Sequence, residues 1–133
     1  MKSGKCLILA LFLLTLTVTS CKKDEVAKTK REILTSHTWK WFSARYNDTN
    51  IPVPPCIVDN VLTFSANGTF TESTGAIKCS PDEPDATGSW SLSADEKTFT
   101  WDGDTFAFEI NESQMILKLT EGAGITTLTF VSL

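Results

Sequence analysis

The chain is poor in the residues that most chemistry needs. It has a single histidine, His37, and a single tyrosine among 133 residues. No serine stands in a G-x-S-x-G elbow, so the nucleophile turn of an α/β hydrolase is missing. No C-x-x-C pair exists, which removes the common zinc and dithiol spacings. Basic residues are scarce beyond residue 31. Five (Lys40, Arg45, Lys78, Lys97, Lys118) stand against fourteen acids, a balance of −9. Such a body lacks the basic footprint of a nucleic-acid binder, so no nucleic-acid partner is expected. The acid groups Asp82/Glu83/Asp85 and Asp102/Asp104 do not follow the EF-hand spacing, and neither a metal nor a cofactor is expected. Catalysis has little to draw on, and an enzyme is not expected. Apolar runs are also short. The longest, Leu7–Leu16, falls below the roughly 20 residues that span a bilayer as a helix.

That one apolar run is nonetheless informative. Lys2 and Lys5 precede it, and the small polar residues Thr17–Ser20 follow. This is the three-part layout of a secretory signal, assigned to residues 1–20. The next residues, Val18-Thr19-Ser20-Cys21, resemble the lipobox of bacterial lipoproteins. The resemblance implies that the Cys21 thiol receives a diacylglycerol and that cleavage makes Cys21 the first residue. Two or three acyl chains hold a protein stably where one does not. Residues 21–31 then form a charged tether. Within it, Lys23, Asp24 and Glu25 resemble the lysine-plus-acids signal that sends some such lipoproteins to the outer cell surface. A plain solvated linker would read the same way.

Two cysteines remain in the exported chain, Cys56 and Cys79. An even pair behind a secretion signal reads as a disulfide, with a metal pair as the weaker alternative. Closing the loop across their separation of 23 residues would contribute on the order of 3 kcal/mol in the chain-entropy model.

Beyond the tether, Ile33 and Leu34 sit at loosely helical spacing, and a short helix is expected over 28–36. The rest alternates apolar and polar residues. Trp39 and Trp41 flank Lys40, and Leu62 and Phe64 lead to Asn67-Gly68, whose positive φ suits a tight hairpin turn. Phe70 resumes the pattern. Further turns at Ala94-Asp95-Glu96, Asp102-Gly103-Asp104, Asn111-Glu112-Ser113 and Glu121–Gly124 separate more alternating runs. Eight strands are expected, over 38–46, 58–65, 69–74, 87–93, 97–102, 104–110, 114–120 and 125–132. A loop fills the proline-rich gap after the first. Hairpin-linked strands with one apolar face each must close on themselves. An all-β, eight-stranded antiparallel up-and-down barrel preceded by a short N-terminal helix is therefore expected over 32–133, with a two-sheet sandwich as the other option.

The tryptophan at the first strand, the block from Cys56 through Asn67-Gly68-Thr69 and Cys79 to Gly88-Ser89-Trp90, and the lipobox together resemble the lipocalin-like domain lipoproteins of Gram-negative bacteria. The resemblance implies a lipocalin-like barrel anchored in the outer membrane, with the cell surface as one address. The inward aromatics Trp39, Trp41, Phe64, Trp90, Trp101 and Phe108 are candidate ligand-binding residues. They could line a pocket or fill the barrel to close packing. Two functions stay open. One is a monomeric, non-catalytic binding module, attached to the membrane through its N-terminal lipid, for a small, partly apolar ligand. The other is an acidic interaction or inhibitor protein that docks a basic protein partner.

Overall fold

The computed structural model describes residues 26–133. The expected signal at 1–20, the lipidation residue Cys21 and the address residues Lys23, Asp24 and Glu25 lie outside the described residues.

The first element is a two-turn helix, α1 (Lys30–Ser36). A reciprocal cap sets its start. The Glu32 N–H donates to Thr29 Oγ1 (3.2 Å), and the Thr29 N–H donates to Glu32 Oε2 (2.7 Å). This Thr-x-x-Glu box satisfies two amides that the helix ladder cannot reach. It starts the helix at Lys30 rather than at the expected Lys28, and it places Lys30 and Arg31 on the body of the protein rather than in the tether.

Strand β1 (Thr38–Tyr46) follows after His37, which caps the helix C-terminus in extended conformation. Then come β2 (Thr49–Ile51), a one-turn helix α2 (Pro55–Val58), β3 (Val61–Phe64), β4 (Thr69–Ser73), β5 (Ala86–Leu92), β6 (Thr98–Trp101), β7 (Asp104–Ile110), β8 (Gln114–Glu121) and β9 (Gly124–Ser132). All pairings are antiparallel. From β3 to β9 each strand pairs with the next, and β1 closes the ring by pairing with both β3 and β9. The closing ladder runs from Trp39↔Ser132 to Tyr46↔Thr126. The eight-stranded up-and-down barrel with a short helix before it is thus observed.

The gap after β1 departs from expectation. It is not a plain loop. Asn47 takes φ 50°, which lets the chain reverse tightly, and β2 pairs back on β1 from Tyr46↔Thr49 to Ala44↔Ile51. Pro55 then opens α2 at a position where a missing N–H is harmless and a fixed φ suits the helix. Residue 58 is therefore helical, and β3 begins at Val61 instead.

β1 exchanges neighbours midway. Thr38–Lys40 pair with β3, whereas Ala44–Tyr46 pair with β2. The register on β9 shifts between Trp41 and Ser43, so Phe42 is an extra residue in a bulge.

Every barrel strand places apolar residues on its inward phase. Trp39, Leu62, Phe64, Phe99, Met115, Leu117 and Phe130 are fully buried, and Leu34 of α1 inserts into the same core. The barrel has two unlike ends. At the helix end lie α1, the hairpin turns after β3, β5 and β7, and the chain terminus, where the Leu133 N–H donates to Thr38 O (3.0 Å). At the far end lie β2, α2, the β4–β5 loop and the turns after β6 and β8.

Candidate functional site

The helix end is sealed. The Trp39 indole N–H donates to Leu34 O (3.0 Å), which ties β1 to the last turn of α1. Lys30 Nζ donates to Phe108 O (2.8 Å) and lies 5.3 Å from the Phe108 ring centre. The Arg31 guanidinium stands 4.9 Å over the Trp90 ring, a cation–π contact. Glu96 Oε2 accepts from the Lys30 N–H (2.8 Å), so the β5–β6 turn caps the helix start from outside. At the rim, Glu112 accepts from His37 Nε2 (2.7 Å) and pairs with Lys28 Nζ (3.1 Å). The His37 hydrogen bond, and then Lys28, hold the Glu112 carboxyl below its ordinary range. Sequence reasoning missed these partners of Lys30, Arg31 and His37. The only local signal was the Thr29-x-x-Glu32 box.

Beneath the seal the rings interlock. Phe64 meets Trp90 at 5.9 Å, Phe99 at 5.7 Å and Trp101 at 6.1 Å, each nearly edge-to-face. Phe99 stacks on Phe108 at 5.4 Å. Such offset and edge-on pairs are the favourable arrangements of aromatic quadrupoles. The Trp90 indole N–H is shared between Thr69 O (2.9 Å) and Ser65 O (3.1 Å). Four of the six candidate aromatics, Trp39, Phe64, Trp90 and Phe108, are buried, and every indole N–H among these four is satisfied.

Trp41 and Trp101 differ. Both are half-buried and stand toward the far end, meeting across Phe130 at 4.4 Å and 6.0 Å. Half-buried Leu119 and Leu128 share their inward phase. The Trp41 Nε1 is shielded from solvent and has no hydrogen-bond partner among the described residues. The structure therefore joins Phe64, Trp90, Phe108, Trp101 and Trp41 in one aromatic chain, with Trp39 set apart under the helix and edge-on to His37 at 5.8 Å.

A turn carboxylate closes the side of this mouth. Asp102, at φ 49°, accepts from the Ser89 N–H (2.8 Å). Its carboxylate and the Phe70 ring occupy the space where a side chain on Gly88 would begin, so only glycine fits there.

The Cys56–Cys79 disulfide forms, with its Cα atoms 5.1 Å apart, and fastens α2 to the β4–β5 loop. A cavity of about 80 Å³ opens beside it, lined by Ile57, Asn60, Glu72 and Glu83 among others. Asn60, 3% exposed, donates to Glu72 Oε1 (2.9 Å) and accepts from the Gly75 N–H (3.0 Å). The space is well under the roughly 300 Å³ of an ordinary small-molecule pocket. Asp59, also unforeseen, accepts from the Ile77 N–H (2.8 Å) and keeps one shielded, unpartnered oxygen. Among the described residues no three His, Cys, Asp or Glu side chains gather as a metal site, and no helix is long and apolar enough to cross a membrane.

Neither a curated protein nor a solved structure matches the chain. The family profile of the lipocalin-like domain does match, over residues 35–130, from the last turn of α1 to β9. Profile, strand order and barrel closure agree: the chain belongs to the lipocalin-like domain family, whose barrel is generally a binding rather than a catalytic fold.

Proposed function

We propose that the protein is a cell-envelope binding module, lipid-anchored through Cys21, that takes a small, partly apolar ligand at the far mouth of its barrel. The observation that carries this reading is the Trp41 indole N–H. It is shielded, unpartnered and set in a half-buried aromatic group with Trp101. A shielded donor without an acceptor costs about 1–3 kcal/mol. A ligand carrying an acceptor beside an apolar body would remove that cost and cover the exposed edges of both rings. The interlocked rings below leave little depth, so the ligand is small. The lipobox supports the anchor, and Lys23-Asp24-Glu25 supports an outer-membrane address on the cell surface.

Titrating the purified protein with an uncharged medium-chain methyl ester, which carries an acceptor on an apolar body, and following tryptophan emission, tests the ligand reading. A saturable change is expected, weakened about tenfold in Trp41→Phe, which keeps most of the ring and removes one hydrogen bond. Equal binding by Trp41→Phe and the parent would remove the mouth from consideration.

A basic protein partner is the second reading, and charge placement favours it. The far end carries nine carboxylates (Asp48, Asp59, Glu72, Asp82, Glu83, Asp85, Asp102, Asp104, Glu121) against Arg45 and Lys78, nine against two, a formal −7. Cross-linking on intact cells would capture such a partner at low salt and lose it at high salt.

A further inference from the structure

The barrel wall is not uniform on its outside. On β3 to β6 the outward residues are almost all Thr and Ser, such as Thr63, Thr71, Ser91 and Thr100. The outward phase of β8, β9 and β1 is different. It carries Lys40, Arg45 and Lys118 together with Ile116 and Ile125, and no acid. Bulged Phe42 adds the most exposed ring of the barrel, at 64%, and Ile125 is 44% exposed. Lys40 and Arg45 make no salt bridge among the described residues, and Lys118 reaches Glu109 of β7 at the margin (3.0 Å). An otherwise acidic protein thus places Lys40, Arg45 and Lys118 on one sheet face together with two of its exposed apolar side chains, Phe42 and Ile125.

We propose that this wall lies against an anionic lipid surface, with Phe42 and Ile125 in the interface and Lys40, Arg45 and Lys118 over lipid phosphates. The proposal rests on the lipid-anchor reading and adds an orientation to it. Two observations select lipid as the occupant. The charge is complementary, since cations around apolar side chains suit an anionic headgroup layer. The described chain also begins at the helix end, where the start of α1 lies between the β5–β6 and β7–β8 turns. Lys28 is held by Glu112 of the β7–β8 turn, beside β8, and His37 at the foot of β1 holds the same carboxylate. The eight residues from Lys22 to Thr29 reach at most roughly 28 Å, so an anchor at Cys21 would keep the barrel within that distance of the bilayer, and the charge of this wall decides which face turns to it.

The test uses the lipidated full chain in vesicles of phosphatidylglycerol and phosphatidylethanolamine that carry a lipid-borne quencher. Phe42→Cys and Ser91→Cys, each labelled with one fluorophore, report opposite walls. The residue-42 label is expected to be quenched and the residue-91 label spared. Lys40→Gln should lower the ratio of docked to undocked protein about fivefold, the effect of one cation near such a surface, and Ser91→Gln should not. Protein that floats with the vesicles while both labels quench alike overturns the wall and leaves the anchor intact. Protein that does not float overturns the anchor and this proposal with it. A residue-42 label already shielded in detergent means that protein, such as a second copy, covers the wall, and the lipid assignment falls.

Discussion

Two tryptophans, two residues apart on one strand, illustrate what a side chain can do beyond filling space. Trp39 gives its N–H to Leu34 O, whereas the Trp41 N–H is shielded and unpartnered. Their phenylalanine variants should therefore move stability in opposite directions. Trp39→Phe leaves a buried carbonyl unmet and should cost about 1–3 kcal/mol, read as a lower urea midpoint. Trp41→Phe removes an unmet donor and should leave the midpoint unchanged or raise it. Equal losses in both would show that ring volume, not hydrogen bonding, governs the pair. The alternation of Trp39, Lys40 and Trp41 was enough to put both rings inside. It could not separate them, because period two assigns a face but not the partner of an N–H.

At the scale of elements, α1 behaves as a fitted stopper whose rim is made of carboxylates. Glu32 is held below its ordinary 4.5 by the Thr29 N–H and then the Thr29 hydroxyl. Asp95, in the β5–β6 turn, is held below 3.8 chiefly by the Ser93 hydroxyl, and Glu112 below 4.5 chiefly by His37. A carboxyl whose pKa is depressed on folding binds more protons unfolded than folded. Its contribution is present above about pH 4.5 and is lost as pH falls through the depressed value. Stability followed by urea titration should decline below pH 4.5, and Glu112→Gln should flatten that decline while leaving its other contributors in place. A slope unchanged by Glu112→Gln would assign the acid response elsewhere.

The far end is held differently, by a covalent link. Replacing Cys56 and Cys79 together with serine should cost about 3 kcal/mol, the chain-entropy value for a span of 23 residues. The loss should appear first as faster amide exchange in α2 and the β4–β5 loop, with β6 to β9 protected until global unfolding. The elements that sequence reasoning missed lie here too. Pro52, Pro54 and Pro55 read as loop, yet Pro55 starts a helix and Asn47 turns β2 back onto β1. Three residues of strand and four of helix are too short for any periodicity to register. The long hairpins, by contrast, each carried an apolar phase and a turn residue with the right φ, as at Gly68 and Gly103.

Across the whole molecule, function-bearing surfaces arise from residues far apart in sequence. The far-end carboxylates come from six separate segments, and the cationic wall from three strands. The sequence could count these charges but not group them, because grouping follows from barrel closure. The same holds for the seal, where Lys28 and His37 meet Glu112 from 84 and 75 residues away. The proposed anchor is the opposite case, since its motif Val18-Thr19-Ser20-Cys21 is local in the sequence. Cys21→Ala should move the protein from the membrane to the soluble fraction or leave it unprocessed, read by fractionation and by the mass of its N-terminus. Unchanged membrane association would refute the lipid anchor.

The joint between α1 and β1 also decides how the protein bears load. A pull on the chain ahead of Val26 first meets the reciprocal cap and the Lys30 and Arg31 contacts, then passes through one helix of two turns into β1. It reaches β1 at the end where β1 is bonded to β3 on one side and β9 on the other. Under a pull directed along β1, the ladder from Trp39↔Ser132 to Tyr46↔Thr126 would be strained in shear, with its rungs sharing the force instead of opening one by one. The small helix would yield first and the barrel last, an order that, under the proposed anchor, would let the domain be tugged repeatedly and reseat without unfolding.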